Sequence, residues 1–208
     1  MIVKVCGMRE PQNIRDVEDA GVQWMGFIFY PPSPRFVSSV PEYLPEKVKR
    51  VGVFVNAGYD EIMERVREFS LEIVQLHGSE TPELCKTLRS GGIIVVKAFA
   101  VESEGTFQRV ASYEGSVDYF LFDTPCTGFG GCGMSFDWSI LCNYRGKTPF
   151  ILSGGLRKEC LETLCSFRHS AMAGIDLNSG FELSPAVKDV ALLRDFLAEY
   201  RKTFPSFK

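Results

Sequence analysis

The sequence predicts an α/β protein: a (β/α)8 TIM barrel, formed as a single domain over residues 1–208. Three observations predict it. Eight short apolar runs are spread along the chain, several of them apolar at nearly every position, as parallel strands are when both sheet faces are covered. Helical patterns lie between the runs, so strand and helix alternate with a period of about 25 residues. No shift in composition marks a linker, and eight βα units in so short a chain favour a closed barrel over an open doubly wound sheet. No G-x-G-x-x-G follows the first strand, which argues against dinucleotide binding.

In chain order, the strand runs are residues 2–6, 24–29, 51–55, 73–76, 93–98, 119–123, 150–153 and 174–177. Residues 11–20 carry Ile14 and Val17 at helical spacing and stop at Gly21. Residues 60–69 open on Asp60, an N-cap type, and repeat Ile62, Val66 and Phe69 along one helical face. Thr81-Pro82-Glu83-Leu84 is another helix start, with proline at the first helical position. A long amphipathic helix over residues 187–200 closes the series.

Composition narrows the partners. The formal net charge is −3, and no basic stripe marks a nucleic-acid or acidic-membrane surface. Lys47, Lys49 and Arg50 form the densest basic cluster, and they read as a solvated turn before a strand. No apolar run reaches the roughly 20 residues of a membrane span. Met1-Ile2-Val3-Lys4-Val5-Cys6 is strand-like and unlike a signal peptide, so a cytoplasmic location is expected. Seven cysteines, an odd number with no CxxC pair, argue against a disulfide framework or a structural zinc site. The expected partner is a phosphorylated small molecule, bound by a monomer or homodimer.

A barrel puts its chemistry at the C-terminal ends of its strands and in the loops that follow. The unusual residues fall there: Cys6-Gly7, Asn56, His77-Gly78, Asp123-Thr124, Ser153-Gly154-Gly155 and residues 176–180. The loops after strands seven and eight are where barrels commonly hold phosphate. Gly154 and Gly155 on one side, with Asp176, Asn178, Ser179 and Gly180 on the other, are the candidate cradle. Two tight turns would use the same glycines, and Asp176 could equally be structural. Cys6 ends the first strand; as a base its thiol would need a cationic or dipolar neighbour. Asp123 follows an apolar run, where burial favours the protonated form that can donate. An acid and a base facing each other across the barrel mouth suit isomerisation by proton transfer. Arg35, in a proline-stiffened loop, suits an anion, and His77 either donates to substrate or caps its loop. Lys97 could form a Schiff base or pair with a carboxylate. Lys4, on the same face as Cys6 and deeper, needs a buried acidic partner.

These fragments, in this order, resemble the phosphoribosylanthranilate isomerase family. The likeness runs nearly end to end. It rests on Lys4-Val5-Cys6-Gly7, Gly26-Phe27-Ile28-Phe29, Ser33-Pro34-Arg35, Val53-Phe54-Val55-Asn56, Val74-Gln75-Leu76-His77-Gly78, Leu121-Phe122-Asp123, Phe136-Asp137-Trp138, Leu152-Ser153-Gly154-Gly155 and Gly174-Ile175-Asp176-Leu177-Asn178-Ser179-Gly180. The resemblance implies an Amadori rearrangement of N-(5-phosphoribosyl)anthranilate to 1-(2-carboxyphenylamino)-1-deoxyribulose 5-phosphate in tryptophan biosynthesis. It implies Asp123 as general acid, Cys6 as general base and Arg35 on the anthranilate side, with no metal or organic cofactor. The chain departs from the family pattern at Cys132 and Met134, where the family often has Thr and Lys, and at Met8, where it commonly has Thr. The residues alone leave open another phosphate-binding barrel, such as a sugar-phosphate epimerase or an aldolase, and a barrel that binds a phosphorylated ligand without turnover.

Overall fold

A computed structural model describes residues 1–123 and 138–204, and within them eight parallel strands close into one barrel in chain order. They are β1 (Ile2–Val5), β2 (Trp24–Ile28), β3 (Lys49–Phe54), β4 (Ile73–Leu76), β5 (Ile94–Ala100), β6 (Tyr119–Asp123), β7 (Phe150–Leu152) and β8 (Met172–Leu177). All eight predicted runs are strands, with ends displaced by one to two residues except at β4 and β6, which coincide with the prediction. Thr124, Cys132 and Met134 lie outside the described residues.

The helices form where apolar spacing and caps direct them. In α1 (Pro11–Asp19), proline occupies the first turn, where its missing N–H costs no helical bond, and Ile14 and Val17 are buried. In α2 (Tyr59–Phe69), Ile62, Val66 and Phe69 make the buried face. In α3 (Pro82–Ser90), the Leu84 N–H donates to the Thr81 hydroxyl at 3.3 Å. Two short helices follow, α4 (Thr106–Ala111) and α5 (Leu161–Ser166). The last, α6 (Val190–Thr203), begins at the Asp189 cap, which accepts the Leu192 N–H at 3.0 Å. Among the described residues no helix is long and apolar enough to cross a membrane.

Two departures from the expected alternation bear on the site. No helix joins β2 to β3. That connection contains Pro31, Pro32, Pro34, Pro41 and Pro45, whose missing N–H groups prevent helical propagation. It is held instead by the Glu18 carboxylate, which accepts the Glu46 N–H at 2.7 Å, the Lys47 N–H at 2.5 Å and the Tyr43 hydroxyl. The second departure concerns residues 187–189, expected in the last helix. Val187–Lys188 instead forms β10, antiparallel to β9 (Glu182–Ser184), a small hairpin after β8.

Strand alternation divides the interior into two compartments. Trp24, Val51, Val53, Ile73, Val96, Ala98, Leu121 and Ile151 fill the barrel with Cys6, while a larger cluster packs between sheet and helices. Each fully buried aliphatic or aromatic side chain contributes about 1.5–3 kcal/mol, so both layers are needed to offset chain entropy. Parity also settles two lysines. Lys97 lies in register with Leu76 and Phe120, both in the outer cluster. It therefore points away from the barrel interior, donating to the carbonyls of Gly78 at 2.8 Å and Ala98 at 3.1 Å, 3.3 Å from Glu80. The Schiff-base reading fails on that geometry. Lys4 faces inward, and its register partner across the β1–β8 seam is Asp176, bonded at 2.9 Å.

Candidate active site

A pocket opens at the C-terminal ends of the strands, and eight of the ten candidate residues line it: Cys6, His77, Asp123, Gly154, Gly155, Asp176, Asn178 and Ser179. Ile28, Tyr30, Val53, Val55 and Leu156 supply an apolar wall. Ser33, Gln75 and Ser153 add polar groups.

Cys6 continues the β1 ladder by donating its N–H to the Leu177 carbonyl at 2.9 Å. Its place depends on Gly26 of the neighbouring strand, where an added Cβ would lie 2.7 Å from the Cys6 Sγ. Burial pushes the thiol above the ordinary cysteine value; Lys4 and Lys188 pull it down, and Asp176 opposes them. The cationic neighbours that the sequence argument required are therefore present, yet burial outweighs them in this pocket. Burial also works against a charged Lys4, but Asp176 and Cys6 outweigh it and keep the ammonium protonated.

Asp123 ends β6 and is 9% exposed. Its Oδ2 lies 3.5 Å from the Nε2 of His77, whose backbone N–H donates to the Phe54 carbonyl at 2.8 Å. Behind His77, the Gln75 side-chain amide nitrogen is 3.2 Å from Nδ1. Three groups at the ends of β4 and β6 thus follow one another along the pocket wall.

On the other side, Gly154 and Gly155 have φ of +88° and +64°, conformations that a Cβ would strain. They turn the β7 loop across the pocket ahead of a short 3-10 helix at Lys158–Cys160 and α5. The β8 loop enters another short 3-10 helix at Ser179–Phe181. Gly180 is not part of the lining: an added Cβ would meet the Leu156 carbonyl at 2.2 Å, so this glycine lets the two loops touch. Asp176 lines the pocket as well, and its carboxylate accepts from the Lys4 ammonium at 2.9 Å, which gives it a structural tie inside the barrel.

Arg35 reaches the rim but is not in the pocket lining. Its side chain crosses Gly7 and forks onto Glu182, with Nε at 2.9 Å and Nη2 at 2.6 Å. Lys188 approaches the same carboxylate at 2.6 Å and donates to the Asn178 Oδ1 at 2.7 Å. Burial would raise the Glu182 carboxyl, but Arg35 and Lys188 outweigh it and hold it below the ordinary value. Glu182, Lys188 and Gln75 escaped the sequence argument. Gln75 had a signal, lying two residues before His77 on the same strand face. Glu182 and Lys188 had none, since the hairpin that buries them does not stand out from its surroundings in sequence.

Comparison with known proteins fits this geometry. The family model for N-(5'-phosphoribosyl)anthranilate (PRA) isomerase matches residues 3–199. The chain is 55% identical over 202 residues to N-(5'-phosphoribosyl)anthranilate isomerase of Phocaeicola vulgatus, covering 97% of this chain and 98% of that one. It superimposes on phosphoribosyl anthranilate isomerase from Thermotoga maritima with a TM-score of 0.83 at 33% identity, covering 97% of this chain and all of that one (100%). A phosphoribosyl anthranilate isomerase crystallised with reduced 1-(o-carboxyphenylamino)-1-deoxyribulose 5-phosphate gives a TM-score of 0.80 at 31% identity, with 97% and 100% coverage.

Proposed function

The chain belongs to the N-(5'-phosphoribosyl)anthranilate isomerase family of tryptophan biosynthesis, and from that premise we propose that Asp123 is its general acid and Cys6 its general base. The observation that carries the reading is that both side chains line one pocket with the Gly154–Gly155 turn.

The substrate's phosphate sits against the β7 and β8 loops, where Gly154, Gly155 and Ser179 allow close backbone approach. Asp123 gives its proton to the furanose ring oxygen. The C1–O bond breaks as the anthranilate nitrogen lone pair forms C1=N, leaving an open-chain iminium. The Cys6 thiolate removes the proton at C2, and the C–H electron pair forms the C1=C2 bond of an enolamine. Tautomerisation returns a proton from Cys6 to C1 and passes the enol proton to Asp123, giving the ketone and restoring both groups. The iminium makes C2–H acidic, so the proposed chemistry calls on no cofactor.

The raised thiol fits this order of events. In a dry pocket the thiolate is disfavoured until a positive charge arrives. The iminium formed in the first half-reaction supplies that charge, beside the Lys4 ammonium. Arg35 faces the anthranilate carboxylate by exchanging or sharing its bond to Glu182. His77 stands beside Asp123 on the substrate's path.

The test is loss of anthranilate-ribose fluorescence with purified protein, repeated for Cys6→Ser and Asp123→Asn. General acid–base groups contribute about 10²–10⁴-fold, so each variant is expected to lose kcat by that order. Full activity in either removes its residue from the mechanism.

A further inference from the structure

We infer that Gln75 is a positioning residue for the acid: its side-chain amide fixes His77 as the tautomer that carries its proton on Nε2, facing Asp123. The inference rests on the reading of Asp123 as the acid. The geometry begins at the end of β4, where Gln75 and, one residue past the strand, His77 both line the pocket. Gln75 is 1% exposed, and its Nε2 lies 3.2 Å from the His77 Nδ1. An amide NH2 can only donate, so Nδ1 must accept and be unprotonated. A neutral imidazole then has its one proton on Nε2, which lies 3.5 Å from the Asp123 Oδ2.

The opposite amide orientation is the direct rival. It would turn the carbonyl oxygen toward His77 and demand a proton on Nδ1. The buried Gln75 Oε1 has no hydrogen-bond partner among the described residues. Exchanging it for an NH2 would leave two donors in the spot where one acceptor now goes unsatisfied, and buried donors tolerate that less well than carbonyls.

The consequence is chemical. Once Asp123 has delivered its proton to the ring oxygen it is a carboxylate inside a largely apolar pocket. An Nε2–H 3.5 Å from its Oδ2 stabilises that charge as it develops, and Gln75 ensures that the nitrogen on that side carries a proton and not a lone pair.

The test uses protein labelled with ¹⁵N at histidine. His77 and His169 are the two histidines of the chain, and His169→Gln assigns the signals. Neutral His77 is expected to show an unprotonated Nδ1 and a protonated Nε2. Gln75→Glu, which accepts from Nδ1–H, is expected to reverse the tautomer and lower kcat about 10–100-fold with KM nearly unchanged, as losses of an orienting partner do. Gln75→Leu, which neither donates nor accepts, is expected to give mixed tautomers and an intermediate kcat. A wild-type His77 protonated on Nδ1 overturns the inference, and so does a reversed tautomer at full kcat. Failure of the underlying reading is distinguishable, because a fully active Asp123→Asn removes the acid assignment whatever tautomer the spectra report.

Discussion

At the scale of single residues, the site is governed by what lies beneath Cys6. Lys4 is the strongest influence lowering the thiol against burial, and it is itself held by Asp176 at 2.9 Å. Lys4→Met removes that influence, so the thiol pKa moves further up. A base that works as thiolate gains activity as pH rises through its pKa, so the acidic limb of the kcat/KM profile is expected to shift to higher pH. The same change strands the Asp176 charge at 6% exposure, and breaking a buried pair costs about 3–5 kcal/mol, readable as a lower urea midpoint. An unmoved pH limb with reduced stability would make Lys4 purely structural. Cys6, His77 and Asp123 were legible in the sequence because each ends an apolar run. The partners of Asp176 and Lys97 were not, since a shift of one position along a strand exchanges barrel interior for outer layer. The single sequence fixes run ends less closely than that.

At the scale of elements, chemistry is positioned by strands packing closely enough to need glycine. Gly26 in β2 leaves room for the Cys6 Sγ, and a methyl there would sit 2.7 Å from it. Gly26→Ala is therefore expected to push Cys6 off its position, lowering kcat by at least tenfold. KM should change little, because Gly26 is not part of the phosphate loops. Unchanged kcat in a folded Gly26→Ala protein would show that the thiol tolerates displacement. The periodic elements could be read in advance: α1, α2 and α3 lie where Ile14, Ile62 and Pro82 put them. The β9–β10 hairpin could not, because Val187 and Lys188 precede the Asp189 cap without any break in helical spacing. That hairpin brings Glu182 and Lys188 to Arg35, so the rim's ion network depends on an element that local pattern conceals.

At the scale of the whole molecule, the barrel divides one reaction among distant stretches of chain. The base comes from β1, the acid from β6 with β4 behind it, and the phosphate loops from β7 and β8. The barrel itself was legible because eight apolar runs alternate with helical spacing. Closure brings Lys4 and Asp176, 172 residues apart, into one pair. The central claim is that Asp123 opens the ring and Cys6 takes the C2 proton, and substrate deuterated at C2 separates those steps. Its isotope effect on kcat should be larger in Cys6→Ser than in wild type, since proton removal then limits turnover. In Asp123→Asn it should shrink towards one, since ring opening limits instead. The reverse pattern, or the same isotope effect in all three proteins, would contradict the account.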